Sequence, residues 1–198
     1  KKQEPQIDEF ADVGTEILRY NEILREVIPN GMTVYGEIVG YYTDTTSYIQ
    51  EGYDYGCELG KSKFMPYRIT TAINDTKYEW NVNEVREWTE KVIRDRPDIG
   101  EFLRPIDTLY YGTLADLYPE IPQDDGWSDA VLAALKTEER FGMEELEPFC
   151  TGNEVPREGI VIRIDNDPVQ EAFKLKCTRF LEKEAKDIDS GKIDAEMA

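Results

Sequence analysis

The sequence predicts an α+β fold of mainly antiparallel sheets flanked by helices, and three observations carry that prediction. Segments with helical spacing and segments of β-branched or aromatic residues follow one another without a regular βαβ rhythm. Two short runs, GIVIRI (Gly159–Ile164) and AFKLKC (Ala172–Cys177), are separated by the turn residues DNDPVQ, the pattern of a β-hairpin. Finally, 198 residues of 40% hydrophobic content suit one ordinary domain with a buried core, and no repeat, low-complexity block or linker divides them. One domain over 1–198 is therefore expected.

In chain order, Ile7, Phe10, Ile17, Leu18, Leu24 and Val27 fall near helical spacing from Ile7 to Ile28, and Pro29, Asn30 and Gly31 stop that helix. Met32 to Tyr42 reads as a strand, with Val34 and Ile38 on one face and Tyr35, Glu37, Val39 and Tyr41 on the other. Gly52 to Lys63 is rich in Gly, Asp and Tyr and reads as a loop, and a short strand follows from Phe64 to Thr71. Trp80 to Arg94 reads as a helix with Asn81 or Asn83 as its N-cap and Val85, Trp88 and Val92 facing inward. Asp98 to Gln123 is mixed, and Ser128 is expected to cap a third helix running to Arg140. After the hairpin, a short helix is expected from Thr178 to about Lys186, with 187–198 as a loose tail.

Composition removes several functions. Lys and Arg number 23 against 42 Asp and Glu, a formal charge of −19, so the surface as a whole does not suit non-specific RNA binding and any nucleic-acid contact must be local. The absence of histidine excludes Ser-His-Asp triads, Cys-His dyads and His-ligated zinc. Cys57, Cys150 and Cys177 are too few and too scattered for a disulfide framework and are expected as buried thiols. No membrane-length apolar run and no signal segment are present, so a cytoplasmic protein without a membrane partner is expected. Chemistry must therefore draw on carboxylates, lysines and hard metal ions.

Lys174 and Lys176 are two apart on a strand, which puts both ammonium groups on one face, about 6 to 7 Å apart along the backbone. Phe173, Leu175 and Cys177 are then expected to point into the core. Two neighbouring cations repel each other unless an anion lies near, and a phosphate meets that need; two solvated lysines on an edge face are the plainer alternative. Glu158, at the mouth of GIVIRI, could hold a divalent ion or simply face solvent. Glu37 lies inside a strand between Gly36 and Gly40, where small residues leave room for close approach to the backbone.

The order and spacing of these segments resemble the covalent nucleotidyltransferases, the superfamily of ATP-dependent ligases and mRNA capping enzymes. VYGEIVG is similar to its motif III, MPYRIT to motif IIIa, PREGIVIR to motif IV and FKLK to motif V. The segments DYGCELGKSKF, TLYYGTLADLYPEI and RFLEKEAKDIDSGKIDAE extend the likeness, which is nearest to the phage-type and bacterial RNA ligases and spans about Ile7 to Glu196. The resemblance implies a nucleotidyltransferase fold of ATP-grasp-like kind. It implies that Glu37 bonds the ATP ribose, that Tyr67 stacks on adenine, and that Glu158, with Glu37 as a second candidate, serves a Mg²⁺ or Mn²⁺ ion. Lys174 and Lys176 would neutralise the α-phosphate, with Arg163 as a further nucleotide contact.

The family attacks ATP with the lysine of a K-x-x-G motif, and no lysine here is followed by glycine three positions on. The resemblance places that lysine upstream of Lys1, and a start at Lys rather than Met fits a domain lacking its N-terminal part. The activity implied is RNA strand joining: a lysine takes AMP from ATP, AMP passes to a 5′-phosphate end, and a 3′-hydroxyl displaces it. This chain alone is expected not to complete the first step. An inactive nucleotide- or RNA-binding derivative and an acidic protein-interaction module are the alternatives. The basic residues Lys174, Lys176, Arg179, Lys183 and Lys186 are where an RNA end is expected to dock.

Overall fold

A computed structural model describes residues 11–74, 76–143, 145–152, 154–165 and 171–189, with side chains from residue 15 onward. Within these the architecture is mixed α and β, with two small antiparallel sheets and several helices. The chain resolves into two compact units that interleave along the sequence. The first takes 1–106, 149–153 and 165–171, and the second takes 107–148, 154–164 and 172–198.

The first unit opens with α1 (Ala11–Leu24), shorter than the expected helix at its C-terminal end; Ile7 and Phe10 lie outside the described residues. Its inward face delivers Tyr20 and Leu24 to a core with Phe64, Val92, Ile99 and Leu103. Strand β1 (Met32–Gly40) pairs antiparallel with β2 (Ser62–Ile73), which pairs with β3 (Thr76–Glu79). Val34 and Ile38 pack against the core as their alternation requires. The β2 strand is longer than expected, and β3 was not legible as a strand at all. Helix α2 (Val82–Asp95) begins at Asn81, whose side chain accepts the Glu84 N–H at 3.0 Å while Glu84 accepts the Asn81 N–H at 2.7 Å. Val85, Thr89 and Val92 are its buried stripe, and the single-turn helix α3 (Pro97–Gly100) follows.

Polar groups tie this unit together where apolar packing does not reach. The buried Glu16 carboxylate accepts the Thr43 N–H at 2.7 Å and the Ser62 hydroxyl at 3.2 Å, with Arg19 at 3.4 Å. The buried Asp54 accepts three backbone N–H groups, from Gly56 and Gly152 at 2.8 Å and Thr151 at 3.1 Å. A buried carboxylate is tolerable only with such donors.

The second unit contains the one-turn helix α4 (Leu114–Leu117) and α5 (Trp127–Thr137). Helix α5 is capped at Gly126 with no side-chain bond, which corrects the expectation that Ser128 caps it: Ser128 lies one residue inside the first turn. Strands β4 (Gly159–Ile164) and β5 (Glu171–Lys176) form the two-stranded sheet, as the sequence suggested, although Asn166–Gln170 of the connecting turn lie outside the described residues. Helix α6 (Thr178–Asp189) runs past Lys186, so the first residues of the expected loose tail are helical, and 190–198 lie outside the described residues. Tyr118, Val131, Leu135, Phe141, Ile160, Cys177 and Phe180 are among the buried residues of this unit.

Candidate functional site

In the first unit the residues of interest sit on the sheet. The β1–β2 register runs Tyr35↔Arg68 and then Gly36↔Pro66, so Tyr67 is an extra residue bulged out of β2. Gly36 permits this locally: a Cβ there would lie 2.3 Å from Phe64 Cζ and 2.7 Å from the Met65 carbonyl oxygen. Tyr67 is 49% exposed. Glu37 pairs with Met65 and is exposed, on the face that also carries Tyr35 and Arg68. The sequence placed Glu37 among aromatic and apolar neighbours; the pairing supplies them, but the carboxylate itself meets solvent. On the same face the Arg68 guanidinium lies 4.8 Å from the Tyr35 ring centre and forks onto Glu79 at 2.5 and 2.8 Å. The Lys77 ammonium is 5.8 Å from the same ring. Arg68 and Lys77 are thus matched on this face by Glu79 and Glu37, and the approach of both cations to Tyr35 depends on the β2–β3 pairing, which no local sequence pattern reveals.

The second unit gathers Glu158, Lys174 and Lys176 where β4 begins, β5 ends and α6 starts. Cys177 joins these three elements. Its N–H donates to the Glu158 carbonyl at 2.9 Å, its thiol donates to the Arg157 carbonyl, and its sulfur accepts the Phe180 N–H at 3.4 Å. Gly159 is needed beside it, since its φ is +146° and a Cβ would lie 2.0 Å from the Leu175 carbonyl oxygen. The glycine of EGIVIR thus serves the close approach of β5.

Glu158 is only 16% exposed, so it is not a strand-end charge facing solvent, and its Oε1 is ion-paired with the ammonium of Lys174, itself 46% exposed. Lys176 is ion-paired with Glu184 of α6 at 2.5 Å and lies 5.1 Å from the Phe180 ring centre. Each lysine thus has a carboxylate of the chain as its nearby anion, and neither is simply solvated. Phe173 is a correction, being 55% exposed rather than in the core, while Leu175 is half-buried and Cys177 fully buried. Cys57 and Cys150 are half-buried, so only Cys177 meets the expectation of a buried thiol. Arg163 is half-buried in β4. The basic run on α6 is interleaved with acids, as in the Lys183–Asp187 pair at 3.1 Å, with Arg179 and Lys186 exposed.

Among the described residues no three His, Cys, Asp or Glu side chains gather as a metal site. One carboxylate is still compatible with Mg²⁺, which commonly takes one or two protein oxygens and completes its shell with phosphate and water. Glu158 is mostly buried and ion-paired with Lys174, so a divalent ion there would have to displace that ammonium, whereas Glu37 is exposed. A concavity of about 430 Å³ along 136–145 has none of the sequence-named residues on its walls and contributes nothing to this chemistry. No helix among the described residues is long and apolar enough to cross a membrane. Comparison with protein-family models, curated proteins and solved structures finds no match.

Proposed function

We propose that this chain belongs to an enzyme that joins RNA strands by ATP-dependent adenylyl transfer, and that it supplies nucleotide-binding and phosphate-binding parts of that enzyme. The observation that carries the reading is the meeting of Glu158 with Lys174 and of Lys176 with Phe180 and Glu184 of α6, on either side of the single residue Cys177. A surface with unrelated charges has no reason to bury a carboxylate against a lysine two positions from a second half-buried lysine. On this reading Tyr67, exposed on its bulge, offers a ring face to adenine, and Glu37 offers a carboxylate to the ribose hydroxyls.

The role of the lysines follows from charge. When a 3′-hydroxyl oxygen attacks a 5′-phosphate that carries AMP, negative charge grows on the non-bridging oxygens as the bond to AMP breaks. Ammonium groups brought against those oxygens lower that barrier. Lys174 would exchange Glu158 for the phosphate, leaving the carboxylate for a divalent cation, which would supply charge neutralisation at the phosphates. The acidic balance of the chain is compatible with this, because the cations needed are local.

The test separates the last step from the first. A pre-adenylylated RNA with a 3′-hydroxyl acceptor is offered to the chain with Mg²⁺ and no ATP, which requires no nucleophilic lysine. Sealing, with loss of about 100-fold in rate in Lys174→Met, is the expected result. Absence of sealing together with absence of ATP binding by titration calorimetry would overturn the reading.

A further inference from the structure

We infer that Glu184 is an anion gate on Lys176: its carboxylate occupies the ammonium in the resting chain and competes with an incoming oligophosphate for it. The inference rests on the reading of Lys176 as a phosphate contact. Glu184 lies on α6 four residues after Phe180, so both face the same side of the helix, and both meet Lys176, at 2.5 Å through the carboxylate and 5.1 Å through the ring. Phe180 is buried, which fixes that face of α6 against its own unit. Lys176 and Glu184 are 29% and 24% exposed, so the pair is sheltered yet open to a ligand.

Two effects oppose each other when Glu184 loses its charge. The carboxylate holds a flexible side chain in place, and losing that order costs a few-fold in affinity. It also repels every negative charge of the ligand at close range. For one unit charge at about 5 Å in water this is roughly 4-fold, and a tripolyphosphate multiplies it. Charge therefore wins, most clearly in Glu184→Gln, whose amide oxygen still accepts a bond from the ammonium. Such a gate sets how strongly the site holds its anion between turnovers and how readily a product phosphate leaves.

The test is titration calorimetry of inorganic tripolyphosphate into the full 198-residue chain, with circular dichroism melts confirming that each variant folds. Glu184→Gln is expected to tighten binding by roughly 5- to 20-fold, the gain shrinking as salt is raised. In a Lys176→Met background only the direct repulsion remains and no ammonium is left to compete for, so the same substitution is expected to give a clearly smaller gain than in the Lys176 background. Unchanged or weaker binding in Glu184→Gln, or an equal gain without Lys176, overturns the gate. ATP binding that survives while the Glu184 effect is missing leaves the nucleotide reading intact and removes only the gate. If neither ATP nor tripolyphosphate binds either form, both fall.

Discussion

The N–H of Cys177 donates to the carbonyl of Glu158 at 2.9 Å, and the thiol of the same cysteine donates to the carbonyl of the preceding residue, Arg157. One buried residue at the end of β5 thus sets the position of the carboxylate at the mouth of β4. Cys177→Ala removes the thiol bond and leaves a small void, with an expected loss of about 1–2 kcal/mol in urea denaturation. Cys177→Ser, which keeps a donor, is expected to lose less than the alanine variant. The same ranking is expected in tripolyphosphate affinity, because Glu158 and Lys174 share that anchor. Full affinity in Cys177→Ala would show that the anchor does not organise the pair.

Asp54 carries a pH dependence. Burial alone would raise its pKa, but the N–H groups of Gly56, Gly152 and Thr151 hold it below its ordinary value. A folded-state pKa below the unfolded one means stability present above the unfolded value, about 3.9, and lost as pH falls from there through the folded value. Asp54→Asn is expected to cost about 2–3 kcal/mol at pH 7 by urea denaturation. The gap between wild type and variant is expected to narrow as pH drops below about 4. A gap that stays constant down to pH 3 would contradict this account.

Tyr67 separates binding from folding. Its ring is exposed on a bulge, so Tyr67→Ala is expected to change stability by less than about 0.5 kcal/mol. If it stacks on adenine, ATP affinity falls by roughly 5- to 100-fold in Tyr67→Ala and is kept in Tyr67→Phe. Equal ATP affinity in all three proteins would remove Tyr67 from the site.

Gly159→Ala tests the hairpin. A methyl group at φ +146° would press into the Leu175 carbonyl, so the substitution is expected to destabilise the protein by about 2–4 kcal/mol. Chemical-shift changes are expected to concentrate in β4, β5 and α6. A melting temperature equal to that of wild type would mean that the approach of β5 to Gly159 is looser than described.

Much of this was legible in the sequence, and the rest was hidden for identifiable reasons. Asn81 and Glu84 announce α2 because a capping box is local, and GIVIRI and FKLK announce their strands because both are short β-branched or apolar alternations. The third strand, TKYE, is not legible because four residues with a single aromatic carry no period of their own, and only pairing with Thr70 to Ile73 makes them a strand. Ser128 suits a cap by residue type alone, whereas the helix begins one residue earlier at Trp127. The positions of Lys174 and Lys176 were readable from a period of two, but their partners were not. Glu158 precedes the turn and Glu184 follows on a helix whose docking through Phe180 no local pattern reveals. Asp54 is an extreme case, since its bond to Gly152 spans 98 positions.

The bulge at Tyr67 also divides β2 into two stretches whose reading frames differ. Between Ser62 and Pro66 even-numbered residues share the face of Phe64, and from Arg68 onward the odd-numbered ones take over with Ile69. Loss of Tyr67 by a single-codon deletion would therefore leave a regular ladder with every facing pair intact. Loss of Thr70 would instead turn Ile69 or its successors outward unless the bulge slid to absorb the slip. Along this strand, tolerance to length change is concentrated at one residue, and a lineage can add or drop that residue without rebuilding the sheet beneath it.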